Sequence, residues 1–354
     1  MMRKGKEIIL NVLANNIHLK HPGGMRYLYY CMRLFTLLLC ISCNNSKTYR
    51  TLVDDFPNME TLLEFNIHEC DTLYSLYDLS STGDYLICAE KKRDYFFTLF
   101  DKDFSKVCSF ARKGRGANEY IAPAFYGQYT KLQDTLLRFL IFDRALNRLD
   151  EISIDVKNGC TNNIASILKL EDHIPLRTIF LPNTEGCIGV TDYNNCKIYY
   201  ANSNFSNFTT VNPSIDIEDK ASSHPFSQNI SCINEDGMRM AVAYYNFPVL
   251  DIYSSNGELV KNILLNNQYI KPNKINEGNM SDYFYKIIDY DNKIFSLYNN
   301  PQHDAISHIL VFDWDGNPIV DYTINRATAF TIFDNKIITI NENSDNSMCS
   351  VYEF

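Results

Sequence analysis

A short unit recurs along this chain: a strand ending in an aromatic residue, a polar turn, then an aliphatic strand. It stands at Phe100-Asp101-Lys102-Asp103-Phe104, at Phe142-Asp143-Arg144-Ala145-Leu146 and at Tyr200-Ala201-Asn202-Ser203-Asn204. It returns at Tyr253-Ser254-Ser255-Asn256-Gly257 and at Phe312-Asp313-Trp314-Asp315-Gly316. Asn256-Gly257 and Asp315-Gly316 are hairpin dipeptides, because tight hairpin turns need positive φ. The leading aromatics lie 42, 58, 53 and 59 residues apart. Repeats near 40–50 residues, each holding several strands, are the signature of propeller blades.

The rest of the chain agrees. Apolar runs of four to eight residues, such as Tyr85–Ala89, Leu136–Phe142, Met240–Tyr245 and Ile306–Phe312, are bounded by Asn, Asp, Gly and Ser. That is strand punctuation, and no long amphipathic helix is visible after Cys43. The 24 tyrosines and 22 phenylalanines suit a β-rich protein. A sixth unit opens at Tyr352, but the sequence stops at Phe354, so its outer strand must come from elsewhere. An unpaired edge is a liability, and the early run Leu62–Ile67 is the natural donor. The reading is an all-β, six-bladed β-propeller over residues 51–354, closed by an N-terminal strand. A pair of β-sandwiches, or a seven-bladed ring with one degenerate repeat, are the alternatives.

Charge divides the chain. Residues 1–42 carry Arg3, Lys4, Lys6, Lys20, Arg26 and Arg33 against Glu7, a balance of +5 that leaves −14 on the remainder of a chain with net charge −9. The basic start precedes the apolar run Leu34–Ile41 and the small Ser42, which reads as a signal peptide. No apolar run reaches the ~18 residues of a membrane span. Cys40-Ile41-Ser42-Cys43 resembles a bacterial lipoprotein signal, with Cys40 where Leu is usual and Cys43 as the lipidated residue. Two acyl chains suffice for stable anchoring. Residues 43–50 form a lipid-anchored linker, and Met25 or Met32 would give a leader of more ordinary length. The run Asn44-Asn45-Ser46-Lys47 has no acidic character, which favours the periplasmic side over the cell surface. The remaining cysteines form no C-x-x-C pair and no zinc spacing. Cys187 and Cys196 could join the ends of a short hairpin.

The run Phe110-Ala111-Arg112-Lys113-Gly114-Arg115-Gly116-Ala117-Asn118-Glu119-Tyr120 resembles the Gly-Arg-Gly-Pro-x-Glu-aromatic motif of the TolB-like six-bladed propeller lipoproteins of Bacteroidota. Ala117 replaces the usual Pro. The resemblance spans roughly residues 50–354 and implies a propeller fold and an envelope location. Arg112, Lys113, Gly114, Arg115, Gly116 and Glu119 are the candidate ligand-binding residues, because successive backbone N–H groups and guanidinium forks can hold a carboxylate or phosphate. The competing reading is a structural crossover between blades, with Arg115 paired to an acid such as Glu119.

Other chemistry leaves little trace. There is no Gly-x-Ser-x-Gly elbow and no His-Glu-x-x-His. Asp313-x-Asp315-x-Asn317 opens like a calcium loop, but Pro318 takes the glycine position and Ile324 the twelfth-position Glu, so it reads as a hairpin turn. His303 and His308 are five apart, which puts them on opposite faces of one strand. Tyr244-Tyr245 and Tyr283-Phe284-Tyr285 read as packing between blades more than as a sugar platform. An acidic body disfavours nucleic acid. The expectation is a monomeric, membrane-tethered binding module for an envelope protein, a peptide or a glycan, with no cofactor. The alternative is a metal-dependent hydrolase or lactonase with Ca2+ in the central channel.

Overall fold

The structure, a computed structural model, describes residues 50–69, 75–91, 94–133, 135–158, 161–169, 176–181, 186–191, 197–202, 208–211, 229–265, 281–301, 303, 305–341 and 348–354. The expected leader, Cys43 and linker residues 44–49 lie outside them, as do Cys196, His173 and His224. Twenty-six strands and no helix occur among the described residues. Three open the chain: β1 (Arg50–Val53), β2 (Asn58–Thr61) and β3 (Glu64–Glu69). Five full blades follow from consecutive strands. The first is β4 (Leu76–Ser81), β5 (Leu86–Glu90), β6 (Tyr95–Phe100) and β7 (Lys106–Arg112). The second is β8 (Pro123–Gln133), β9 (Leu136–Asp143), β10 (Arg148–Asp155) and β11 (Thr161–Lys169). The third is β12 (Leu176–Phe180), β13 (Gly186–Thr191), β14 (Ile198–Asn202) and β15 (Phe208–Val211). The fourth is β16 (Asn229–Ile233), β17 (Arg239–Tyr244), β18 (Val249–Ser254) and β19 (Leu259–Leu265).

The fifth blade is β20 (Phe284–Tyr290), β21 (Lys293–Tyr298), β22 (Ile306–Asp313) and β23 (Pro318–Asn325). The sixth has only three strands of its own, β24 (Ala327–Phe333), β25 (Lys336–Asn341) and β26 (Met348–Glu353). Its fourth is β3, which runs antiparallel to β26 with Glu64 opposite Tyr352, Ile67 opposite Ser350 and Glu69 opposite Met348. The fold is therefore the expected six-bladed propeller, closed by the early segment and sealed at the C-terminal blade.

Apolar patterning follows from where each strand sits. The second strand of a blade has neighbouring blades on both faces, so it is largely buried and mostly apolar: every residue of β5 is buried, Glu90 included, and all of β17 after Arg239. The described core divides into six clusters, and each lies between two adjacent blades. The cluster joining the sixth blade to the first sets Ile338, Ile340 and Val351 against Leu79, Leu86 and Phe100. Ser81 reinforces that seam by donating to the carbonyl of Ile332 at 2.6 Å.

Two features go beyond the expected closure. β1 adds in parallel to the outer edge of β19, and β2 adds in parallel to β23, so the N-terminal segment laces the fourth, fifth and sixth blades in turn. Arg50 fixes the first register. Its Nε donates to Asn262, whose side-chain amide donates at 2.7 Å to Asp251, which also accepts from the hydroxyls of Tyr244 and Tyr253. Val53 is buried between the fourth and fifth blades, and Phe56 meets the edge of Phe312 at 5.3 Å there.

The second feature corrects the phase of the repeat. Phe100, Tyr200, Tyr253 and Phe312 end or nearly end the third strands of their blades, but Phe142 ends the second strand of its blade. The equivalent position is Ile154 in β10, and the intervals across it become 54 and 46 in place of 42 and 58. The Asn256-Gly257 and Asp315-Gly316 turns form as expected, with φ +84° at Gly257 and +80° at Gly316. Cys187 carries a free thiol, buried and pushed up to about 12 by loss of solvent.

Candidate functional site

The innermost strands β4, β8, β12, β16, β20 and β24 surround an axial channel of about 1690 Å³. Each runs from one face of the ring to the other. The face where they begin, here the upper one, carries the links between blades; the lower face carries the short turns that lead to the second strands.

The two rims differ in charge. At the lower rim the lysines are neutralised: Lys131 meets Asp84 at 2.8 Å and Lys102 meets Asp334 at 3.1 Å. Glu235 and Asp289 add acid there, while Asp291 pairs with Lys293 at 2.7 Å. Asp289 accepts from Trp314 Nε1 at 2.9 Å, and burial, aided by Glu235 and Asp236, raises its pKa to about 6. Within the channel Lys286 crosses from the fifth blade to the first and donates to the Asp78 carboxylate and the carbonyl of Leu79.

The upper rim is cationic. Lys91, Lys113 and Arg144 line it, and none is ion-paired to a carboxylate among the described residues. Lys91 Nζ lies 5.5 Å from the centre of the Tyr77 ring. Lys113 Nζ donates to the carbonyls of Lys91 at 2.7 Å and Glu90 at 3.2 Å and sits 4.9 Å from the centre of Phe96. Burial lowers the Lys113 pKa, opposed by Glu90 and Asp94. Tyr77 is pushed up to about 12 by burial and by Asp78, against the pull of Arg144.

Asp143 places Arg144. Its buried carboxylate accepts from the N–H of Ile121 at 2.7 Å and from Ala145 and Leu146 at 3.0 and 3.1 Å. One side chain thereby ties the link between the first two blades to the turn that carries Arg144.

The candidate loop is divided by this arrangement. Lys113 points into the channel, whereas Arg115 is exposed. Glu119 folds back beneath the glycines and accepts the Gly116 N–H at 2.8 Å, with Arg112 Nε 3.6 Å from its other oxygen. Gly114 has φ +154°, which strains any side chain, and a Cβ there would stand 1.9 Å from a Glu119 oxygen and displace that carboxylate. The chain's own carboxylate thus stands where an anion would lie on that nest, and it faces Arg112 and not Arg115. Behind the loop, Arg148 donates to the carbonyls of Ala117 and Glu119, pairs with Asp150 at 2.7 Å and covers the buried Tyr120 ring at 5.0 Å.

Lys91, Arg144, Tyr77 and Asp143 escape a sequence reading because three blade segments bring them together. One signal did exist. The aromatic-Asp pair recurs at Phe100-Asp101, Phe142-Asp143 and Phe312-Asp313, and each Asp accepts the N–H groups of its own turn. Asp313 spends its carboxylate in this way, as a hairpin turn requires. His308 lies in β22 and bonds Asp321 at 2.9 Å, while His303 lies in the preceding loop. Tyr245 and Tyr285 meet across the fourth and fifth blades at 5.3 Å, which is packing between blades.

No family model matches the chain, and no curated protein matches it. Solved structures do. A member of the DUF4221 family from Bacteroides vulgatus aligns with TM-score 0.52 and 11% identity, over 83% of this chain and 97% of that one. At that identity the likeness is one of fold. A Bacteroides fragilis protein inferred to be exported aligns with TM-score 0.47 and 10% identity, over 86% and 98%. A streptogramin B lyase aligns with TM-score 0.42 and 10% identity, over 82% and 96%. The last two lie too far away in backbone to bear on this chain.

Proposed function

We propose that this protein is an exported propeller of the TolB-like type, tethered to the bacterial envelope through Cys43, and that it works as a binding module. Its ligand, part of a protein, peptide or glycan, enters the axial channel from the upper face. The observation that carries this reading is a wide channel whose upper rim holds cations that meet no carboxylate among the described residues. Exposed like charges gathered at the mouth of a channel sum to a field that draws in an anionic group. The hydrolase or lactonase reading, with Ca2+ in the channel, has no grouping of three or more His, Cys, Asp or Glu to start from among the described residues.

Immobilised protein incubated with soluble cell-wall fragments and peptides, with retained species read by mass spectrometry, tests the module. Ile121 is exposed at the upper rim and Val260 is exposed on the outer edge of the fourth blade. A bulky maleimide on Ile121→Cys, in a background with Cys70, Cys108, Cys160 and Cys196 changed to Ser, should abolish retention, and the same label on Val260→Cys should leave it intact. Equal retention by both labelled proteins would contradict the proposal.

A further inference from the structure

We propose that the upper rim binds a carboxylate borne on a ring-shaped body, with Arg144 and Lys91 as its cationic contacts and the Tyr77 hydroxyl as a hydrogen-bond donor. This rests on the binding-module reading and names the chemistry of its ligand.

The three rim cations are not equivalent. Lys113 is already engaged by two carbonyls, so it holds the turn at residues 90–91 in place. Lys91 and Arg144 are exposed and make no ion pair among the described residues. The Lys91 ammonium lies by the Tyr77 ring, and Arg144 lines the same channel mouth from the second blade. The Tyr77 phenol stays protonated at neutral pH, so it can donate, and no partner for it occurs among the described residues. An ammonium, a guanidinium fork and a phenol lining one side of the channel mouth supply donors for a planar anion. Tyr77 and Phe96 supply apolar walls beside it.

Two further features select the ligand. The whole chain carries −9, which opposes a dianion more than a monoanion, so carboxylate suits the rim better than phosphate. The acids of the lower rim repel an anion that passes deeper, and Lys286 is already satisfied by Asp78. Charge therefore holds the anionic end of the ligand at the upper rim.

Saturation-transfer NMR on the processed chain, with matched acid and neutral probes, tests this. The pairs are 3-phenylpropionate with 3-phenylpropionamide, and glucuronate with glucose, each at about 10 mM, which fills most of a site whose Kd is ~1 mM. At least one acid should bind while its neutral partner does not, and the responding pair tells an aryl from a sugar ring. Lys91→Gln and Arg144→Gln should each weaken that acid about tenfold, and added salt should weaken it further. Both side chains are exposed, so an unchanged melting temperature serves as the control for folding. No acid binding at about 10 mM, equal binding of acid and neutral partner, or indifference to Arg144→Gln would overturn the proposal. Equal binding that the Ile121 label still blocks would leave the binding module standing without its preference for acids.

Discussion

Asp289 shows how one buried acid links the channel to pH. Its folded-state pKa, about 6, lies above the ordinary carboxylate value of 3.8, because burial and the nearby Glu235 and Asp236 oppose ionisation. The folded state therefore holds this proton more tightly than the unfolded chain between pH ~4 and ~6. Stability from this group falls as pH rises through that window and stays reduced above it. Asp289→Asn keeps an oxygen for Trp314 and removes the charge. It should raise the melting temperature at pH 7.5 and change little at pH 4, measured by thermal denaturation. Asp143 behaves oppositely to substitution. Asp143→Ala strands several part-buried N–H groups and should cost about 2 kcal/mol in denaturant unfolding. At the same scale the sequence was only partly legible: the glycines of the Gly114–Gly116 loop were readable, but the acid folded beneath them was assigned to Arg115 when it faces Arg112. Spacing within one segment cannot show which of two neighbouring arginines a loop turns inward.

Strands carried a clearer signal. Runs bounded by turn residues locate most blade strands, because a second strand packed on both faces is mostly apolar. Phase was harder to read: the Phe142-Asp143 turn uses the same aromatic and Asp chemistry as the turns after Phe100 and Phe312, but at the opposite end of its blade. Local turn chemistry does not encode which pair of strands a turn joins. β1 and β2 were invisible for a similar reason. They are four residues each, and β2 is exposed along its whole length, so no alternation marks them. Their role predicts a graded response to truncation. Removing residues 50–61 strips two outer strands and the buried Val53, and should cost about 2–4 kcal/mol while the ring persists. Extending the deletion to residue 69 also takes β3, opens the edge of β26 and should abolish cooperative unfolding, as followed by circular dichroism.

The ring as a whole converts these local facts into a channel with unlike ends, its upper cations without a carboxylate partner among the described residues and its lower lysines neutralised. That asymmetry depends on closure, since Lys286 bridges the fifth blade to the first only if the sixth stands between them in register. The proposed tether belongs to this scale too. In a bacterial host, palmitate-analogue labelling of the wild-type protein and its loss in Cys43→Ala would support the anchor, whereas labelling that persists in the variant would contradict it. Closure itself is tested most directly by hydrogen exchange read by mass spectrometry on peptides covering 64–69 and 348–353. Amides in β3 hydrogen-bonded to β26 should exchange slowly and be released together with those of β26 in one cooperative opening. Exchange of 64–69 at the rate of an unfolded chain, while 348–353 stays protected, would contradict the closed ring.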